Sequence, residues 1–322
     1  MSHKNDKSQQ LRFKILQSLQ WVPDEVMLPL QYWIKLKRWP DLKNPQRYTE
    51  KLQVYKMKYR NPVMAQCVDK YDVRGFVESK GLKGILNECY GVFERAEDIN
   101  LANLPTKFVA KTTGGGGGEN VMIVRDKSTI NSIAFFEELN KWERTIAASY
   151  GREWAYDGIK KNRIIVEALL EDDSNTDGSI DDYKFMCFDG EFRCLWIDKN
   201  RYSDHHRGFW DENLNFLEGV YSDHDTFTTP PELPANIKEM VKVVEKLSED
   251  FPYARVDLYN IKGRIVFGEI TFYPWSGYVQ FTPDEFDFKL GSYFNVNNLA
   301  GGGYNLVIPV HAASVELQLM AA

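Results

Sequence analysis

Five consecutive glycines, Gly114 to Gly118, follow Lys111, Thr112 and Thr113 in this chain of 322 residues. Glycine loses more backbone freedom on ordering than any other residue, so a run of five is costly to hold in one shape unless the loop has a task. Anion binding is one it suits. Without Cβ atoms, successive N–H groups can turn toward one anion, and a flexible tip can close over it and exclude water. A disordered connector is what such a run would mean by itself. Here Lys111 stands on the strand-like segment leading in, and simple alternation puts Lys107 on the same side. A P-loop or dinucleotide fingerprint does not fit, because no Gly-Lys-Ser/Thr follows and residues 120–125 alternate as a strand instead of opening a helix. A protein kinase carries its lysine on the strand after its glycines and needs a His-Arg-Asp loop, which is absent.

The second concentration of chemistry lies in 254–273, which reads as a hairpin. A three-residue loop at Ile261, Lys262 and Gly263 would pair Asn260 with Arg264 and set Asp257 opposite Phe267. Glu269 is then a diagonal neighbour on the same face, about 7–8 Å away. Two carboxylates so placed can share magnesium, with phosphate oxygens completing the shell, whereas Val256, Leu258, Val266 and Ile270 face a core. A solvated charged face is the ordinary alternative, and the neighbouring glycine loop shifts the balance toward metal. A third cluster, Arg201, His205, His206 and Arg207 in 201–211, reads as a surface loop or as anion contacts. Arginines suit bidentate recognition of a carboxylate or acyl phosphate, and the histidine spacing is unconvincing for a metal.

These groups need elements to position them. Residues 107–112 and 120–125 read as strands joined by the glycines, and 130–150 as a helix through Ile133, Phe136, Leu139, Trp142 and Ile146. Residues 163–170 form an apolar strand, and Asp189-Gly190 is a two-residue hairpin turn between 183–188 and 191–197. Ile237, Met240, Val241, Val244, Leu247 and Phe251 repeat as one helix face. Upstream, Leu28, Tyr32, Leu36 and Trp39 predict a helical arm broken by Pro23 and Pro29. Its basic aromatic stretch, 31–39, suits either cover for its own domain or a membrane surface. The divisions expected are 1–60 as the arm, 61–105 as a small mixed segment, 106–165 as the glycine-loop lobe, 166–290 as the hairpin lobe and 291–322 as a tail. That tail carries a single formal charge, Glu316, and suits a packed segment or an appended one.

Composition narrows the class. Forty Lys and Arg against 46 Asp and Glu give a net charge of −6, so no global field draws nucleic acid, and any anion must be held locally. Four cysteines without a Cys-x-x-Cys pair argue against a disulfide or zinc scaffold. The start lacks a signal-peptide core, and no run of 18 apolar residues occurs, so a cytoplasmic protein, at most peripheral to a membrane, is expected.

The stretches KFVAKTTGGGGGENVMIVRDKS at 107–128, RIIVEALL at 163–170, DDYKFMCFDGEF at 181–192 and FPYARVDLYNIKGRIVFGEITFYPWSG at 251–277 together resemble the ATP-grasp superfamily. Within it they resemble the TupA-like proteins of bacterial surface-polysaccharide (teichuronopeptide and capsule) synthesis, over roughly residues 45–290. The resemblance implies an α+β fold of two lobes gripping ATP, with ATP and Mg2+ as cofactors. It places Lys111, Thr113, Gly115, Gly116, Gly117 and Gly118 at the phosphates. Glu167 would lie at the adenine–ribose edge, as a carboxylate in an apolar strand needing a partner, otherwise an Arg or Lys. Lys184 would be a second nucleotide or substrate contact, Arg201 and Arg207 anion contacts, and Asp257, Glu269 and Thr271 the metal ligands. Asp69, Lys70 and Arg74 resemble an earlier segment that can approach the nucleotide. Many ATP-grasp enzymes have Asn where this chain has Thr271, a weaker magnesium ligand that can act through its hydroxyl or a water. The implied reaction joins a carboxylate, of a uronic acid or glutamyl group, to an amine through an acyl phosphate. A nucleotide-sugar glycosyltransferase and a nonhydrolysing nucleotide-binding scaffold are the alternatives.

Overall fold

In the computed structural model, residues 16, 18–115, 120–143, 152–159, 161–172, 175, 177–297 and 299 are described. Among the residues from 24 on, the first helices are α1 (Asp24–Leu36), α2 (Tyr48–Lys58), α3 (Val63–Val68) and α4 (Val73–Ser79). Pro29 sits inside α1 and does not break it. Met27, Leu28, Tyr32 and Leu36 are buried on either side of the proline, and that packing outweighs the one backbone bond it removes.

A four-stranded antiparallel sheet follows, in the order β1-β4-β2-β3: β1 (Cys89–Phe93), β2 (Phe108–Thr112), β3 (Val121–Val124) and β4 (Ile164–Glu167). Two helices, α5 (Ser132–Glu143) and α6 (Trp154–Asp157), lie between β3 and β4. Phe108, Ala110, Ile164 and Val166 from the sheet meet Phe135 and Leu139 of α5 in one core. The buried stripe of α5 is Phe135, Leu139 and Trp142; Ile133, expected inside, is exposed, and Ile146 lies outside the described residues.

A five-stranded antiparallel sheet, ordered β7-β6-β5-β8-β9, makes the second lobe: β5 (Asp182–Phe188), β6 (Glu191–Lys199), β7 (His206–Trp210), β8 (Tyr253–Ile261) and β9 (Arg264–Thr271). Helix α7 (Ile237–Ser248) packs Met240, Val244 and Leu247 into its core. Helix α8 (Glu285–Tyr293) closes the described chain. The Asp189-Gly190 turn is as expected, with φ of 49° and 78°, a left-handed pair matching a two-residue hairpin.

Several boundaries move. The division set between 165 and 166 cuts through β4, which pairs along its length with β1 and β2. The segment 61–105 is not one unit: Met64, Val68, Phe76 and Val77 join the core of the five-stranded sheet, while β1 joins the other sheet. The arm 1–60 contains α2, whose Tyr48, Leu52 and Tyr55 are wholly buried in that same core. Tyr48 donates to the Tyr253 hydroxyl at 2.7 Å, and Tyr55 to the Tyr253 carbonyl at 3.1 Å. No apolar stripe announces α2, because it is buried almost all round and its polar groups are satisfied inside. Glu50 accepts from the backbone of Asp41, Gln46 and Arg47, and Lys56 donates to the Ser276 carbonyl at 2.7 Å. The tail set to begin at Gly291 starts inside α8, and Phe294, Val296 and Leu299 are buried in the core.

Candidate active site

The hairpin β8–β9 turns through two residues, Lys262 and Gly263, pairing Ile261 with Arg264, not through three. That alone would shift the register, but a bulge at Gly268 inserts one residue and sets Asp257 directly opposite Glu269. A Cβ on Gly268 would lie 2.9 Å from the Asp257 carbonyl oxygen, so the bulge needs glycine for the strands to approach. The expected pairing of Asp257 with Phe267 is therefore replaced by a closer contact between the two carboxylate residues.

Directly paired residues share a face of an antiparallel sheet. One row accordingly runs Trp196, Lys184, Asp257, Glu269 across β6, β5, β8 and β9. Flanking rows add Arg207, Asp198 and Asp182 on one side, and Arg255 and Thr271 on the other. Lys184 Nζ donates to Asp182 Oδ2 at 2.5 Å and Asp257 Oδ2 at 2.6 Å. Arg255 donates to both Asp257 oxygens at 2.7 Å, to Glu269 Oε1 at 2.6 Å and to Thr271 Oγ1 at 3.0 Å. Thr271 in turn donates to Glu269 Oε1 at 3.0 Å. Burial would raise Glu269, but Arg255, Lys184 and Lys70 outweigh it and hold the carboxyl at about 2. Burial pushes Asp257 up, to about 6, against the pull of Arg255 and Lys184. Burial also works against the charge of Lys184, yet Asp182 and Asp257 raise its pKa.

The segment 201–211 is not a free loop, since its second half is the edge strand β7. Arg207 donates from Nε to Asp198 Oδ1 at 2.6 Å and from Nη1 to Asp223, and stacks near Trp196 and Trp275. His205 is 3.0 Å from Asp198 Oδ1, whereas His206 Nδ1 is 2.9 Å from the backbone carbonyl oxygen of Asp204. Arg201 donates to Asp182 Oδ2 at 2.9 Å. Both arginines expected to contact anions are thus engaged with carboxylates of the chain itself. Among the described residues, Asp182 Oδ1 and Arg201 Nε are buried without a hydrogen-bond partner, unspent polar capacity on this face.

In the smaller sheet, β2 pairs with β4, and Lys111 Nζ lies 2.6 Å from Glu167 Oε2. Arg74 donates to the other Glu167 oxygen at 3.3 Å and to the Asn87 carbonyl at 2.9 Å. The partner that Glu167 requires is therefore a lysine and an arginine. Lys107 lies apart, bonded to Glu171 at 2.8 Å. Thr113 is wholly buried: its N–H donates to the Arg163 carbonyl at 2.8 Å and its hydroxyl accepts from the Arg163 N–H at 3.2 Å. It shapes the start of the loop. Lys70 donates to the Gly115 carbonyl and, through its own N–H, to the Thr113 carbonyl at 2.8 Å. Gly116, Gly117 and Gly118 lie outside the described residues.

Lys70 links the two groups. Burial lowers its pKa, and both Glu269 of one lobe and Glu167 of the other counter that loss, with Lys111 adding to it. The residues that sequence reasoning passed over, Arg255, Asp182 and Asp198, stand at i−2 from Asp257 and Lys184 and at i+2 from Trp196. Strand alternation was their signal.

Asp257, Glu269 and Thr271 supply oxygen donors, which suit a hard cation such as Mg2+, and in this structure those oxygens bond Arg255 and, at Asp257, Lys184. Among the described residues no group of three His, Cys, Asp or Glu side chains is arranged to hold a metal. Two carboxylates and a hydroxyl fit magnesium in the manner that leaves further positions to phosphate oxygens.

A family model for TupA-like ATP-grasp proteins matches residues 50–295. The chain belongs to that family. Its architecture, helices with two antiparallel sheets, is the α+β ATP-grasp fold. Solved structures that it is similar to include the D-alanine–D-alanine ligase of Bacillus anthracis, at 20% identity and TM-score 0.41, covering 64% of this chain and 57% of that one. The L-amino acid ligase of Bacillus licheniformis matches at 17% identity and TM-score 0.41, covering 66% and 44%. The D-alanine–D-alanine ligase of Helicobacter pylori matches at 15% and 0.40, covering 71% and 61%. The match thus spans about six tenths or less of those enzymes' length. No curated protein matches the sequence.

Proposed function

We propose that this protein is an ATP- and Mg2+-dependent carboxylate–amine ligase. The observation that carries the reading is the row Lys184, Asp257, Glu269 with Arg255 and Thr271, facing Lys111 and Glu167 through Lys70. In this reading Lys111 and Lys70 neutralise phosphates under the glycine loop, and Glu167 holds Lys111 in place while marking the base and ribose edge. Asp257, Glu269 and Thr271 hold magnesium, whose chemistry is to offset charge on the phosphate oxygens. Lys184 and Arg255, pre-oriented by the carboxylates they already bond, stabilise charge that develops on the transferred phosphoryl group. A substrate carboxylate oxygen forms a bond to the γ-phosphorus as the bond to ADP breaks. An amine then forms the amide as phosphate leaves the acyl carbon and the amine gives up a proton. Arg201 and Arg207 orient the acid substrate.

The substrate class in this reading is a uronic-acid or glutamyl carboxylate with an amino acid or amino sugar, in bacterial capsule or cell-surface polymer synthesis. The enzyme would work in the cytoplasm, in peripheral contact with membrane-bound polymer machinery. The match to the TupA-like ATP-grasp family is the support for it.

Thermal stabilisation by ATP with magnesium, compared with UDP-sugars with magnesium or manganese, tests the reading. A ligand at about 100 times its Kd adds about 2.7 kcal/mol. The shift with ATP should vanish in Lys111→Ala. Asp257→Asn should instead bind ATP but lose magnesium-dependent turnover, and hydroxylamine should trap the acyl phosphate as a hydroxamate. A shift with a UDP-sugar alone would overturn the ligase reading in favour of glycosyl transfer. ATP binding without turnover on any acid and amine pair would favour a scaffold.

A further inference from the structure

Helix α1 is apolar on both faces. Leu28, Tyr32 and Leu36 point into the protein, yet Val26, Leu30, Trp33 and Ile34, which share the opposite face at helical spacing, are exposed. Trp21 before the helix is 79% exposed and Trp39 after it 63%, with Trp39 stacked on Trp33 at 5.7 Å. An apolar stripe on the outward side of a helix whose inward side already packs a core is expected to have a cover of its own. This one is also firmly seated. Tyr32 hydrogen-bonds Thr49 at 2.8 Å, Tyr278 donates to Gln31 at 2.8 Å, and Arg152 binds Asp24 and the Val22 carbonyl, each at 2.6 Å. The outward face is therefore a fixed surface.

We propose that this face docks on the surface of an anionic lipid bilayer. Charge decides between occupants. The first 44 residues hold eight Lys and Arg against four Asp and Glu, in a chain whose net charge is −6. Lys37 caps the helix and is exposed beside the tryptophans. Tryptophan is the side chain that best tolerates a headgroup boundary, and basic residues beside it meet anionic lipid. A symmetric contact with a second copy would instead set this basic segment against itself. No helix among the described residues is long and apolar enough to cross a membrane, so α1 would lie along the interface. This deepens the peripheral location in the reading above and owes nothing to its ligase chemistry, so either can fail alone.

The full chain would be sedimented with phosphatidylcholine vesicles, with and without phosphatidylglycerol, at low and high salt. Co-sedimentation that requires phosphatidylglycerol, falls with salt and blue-shifts tryptophan emission is expected. Lys37→Gln should weaken it by about fivefold, and Leu30→Glu with Trp33→Glu should abolish it while leaving the melting temperature and any nucleotide-induced shift unchanged. Association with neither vesicle would overturn the proposal, as would binding unchanged in the double variant. Concentration-dependent dimers that the double variant dissolves, without vesicle binding, would overturn it in favour of a second copy.

Discussion

Arg255 is the test of how the acidic face is held together. Methionine at this position keeps an unbranched apolar stem against Trp196, whose ring the guanidinium carbon overlies at 5.1 Å, but removes the hydrogen bonds to Asp257, Glu269 and Thr271. Asp257 would keep only the Lys184 bond at 2.6 Å, and Lys184 is already shared with Asp182. The buried carboxylate of Asp257 and the partly exposed one of Glu269 would then oppose each other with too little positive charge. Removing one partner of a buried ionic group costs about 3–5 kcal/mol. At roughly 2–4 °C per kcal/mol for chains of 150–250 residues, Arg255→Met should melt about 10 °C below the parent in metal-free buffer. Thermal unfolding followed by circular dichroism reads this directly. Glu269→Gln added to that background removes one repelling charge and should recover about 1–3 kcal/mol. Magnesium alone should stabilise Arg255→Met more than the parent, since the oxygens it needs are no longer occupied by the guanidinium. A single variant within about 1 kcal/mol of the parent, or a double variant less stable than the single, would refute the account.

Three further outcomes follow from the packing and the site. A Cβ on Gly291 would lie 2.1 Å from the Gln46 carbonyl oxygen and 2.8 Å from the Tyr48 nitrogen, so Gly291→Ala must push α8 off α2. A cost of about 1–3 kcal/mol is expected, and an unchanged urea midpoint would count against it. Burial lowers Lys56 to about 8, so between that pH and about 10.5 the unfolded chain binds the proton more strongly than the folded one. Its contribution to stability therefore rises with pH across that window, by up to about 3 kcal/mol, and Lys56→Met should remove the rise seen in paired denaturation curves. The separation expected between Lys111→Ala, which loses ATP affinity, and Asp257→Asn, which loses turnover, should appear in calorimetry set beside a coupled ADP assay.

What could be read from the sequence was whatever repeats with a period. The Asp189-Gly190 hairpin, helix α7 and strands β2, β3, β4, β8 and β9 each carry their own local signal. Helix α2 carries none, because burial on every side erases amphipathic contrast and leaves Thr49, Gln53 and Lys56 inside with internal partners. The strand β7 was hidden by a polar sequence at a sheet edge, where Arg207 is neutralised by Asp198 from the neighbouring strand. The loop length at Lys262 and Gly263 and the bulge at Gly268 are two departures that partly cancel. Asp257 and Glu269 therefore share the expected face but sit directly opposite each other instead of diagonally.

Lys70 differs from the more obvious lysines in that carboxylates of both lobes act on its charge. Lys111 and Lys184 each sit on a strand of one sheet, and each is already paired with a carboxylate of its own lobe. Lys70 belongs to neither sheet. It follows α3, which packs with the five-stranded sheet's core, and its side chain reaches the Gly115 carbonyl in the loop that leaves β2. Burial lowers its pKa, and Glu269 and Glu167 work against that. A position in the short link between α3 and α4 can serve both lobes because it is bound to the register of neither. No period marks such a residue in the sequence; the resemblance points to its segment, and its bonds to Thr113 and Gly115 give its place.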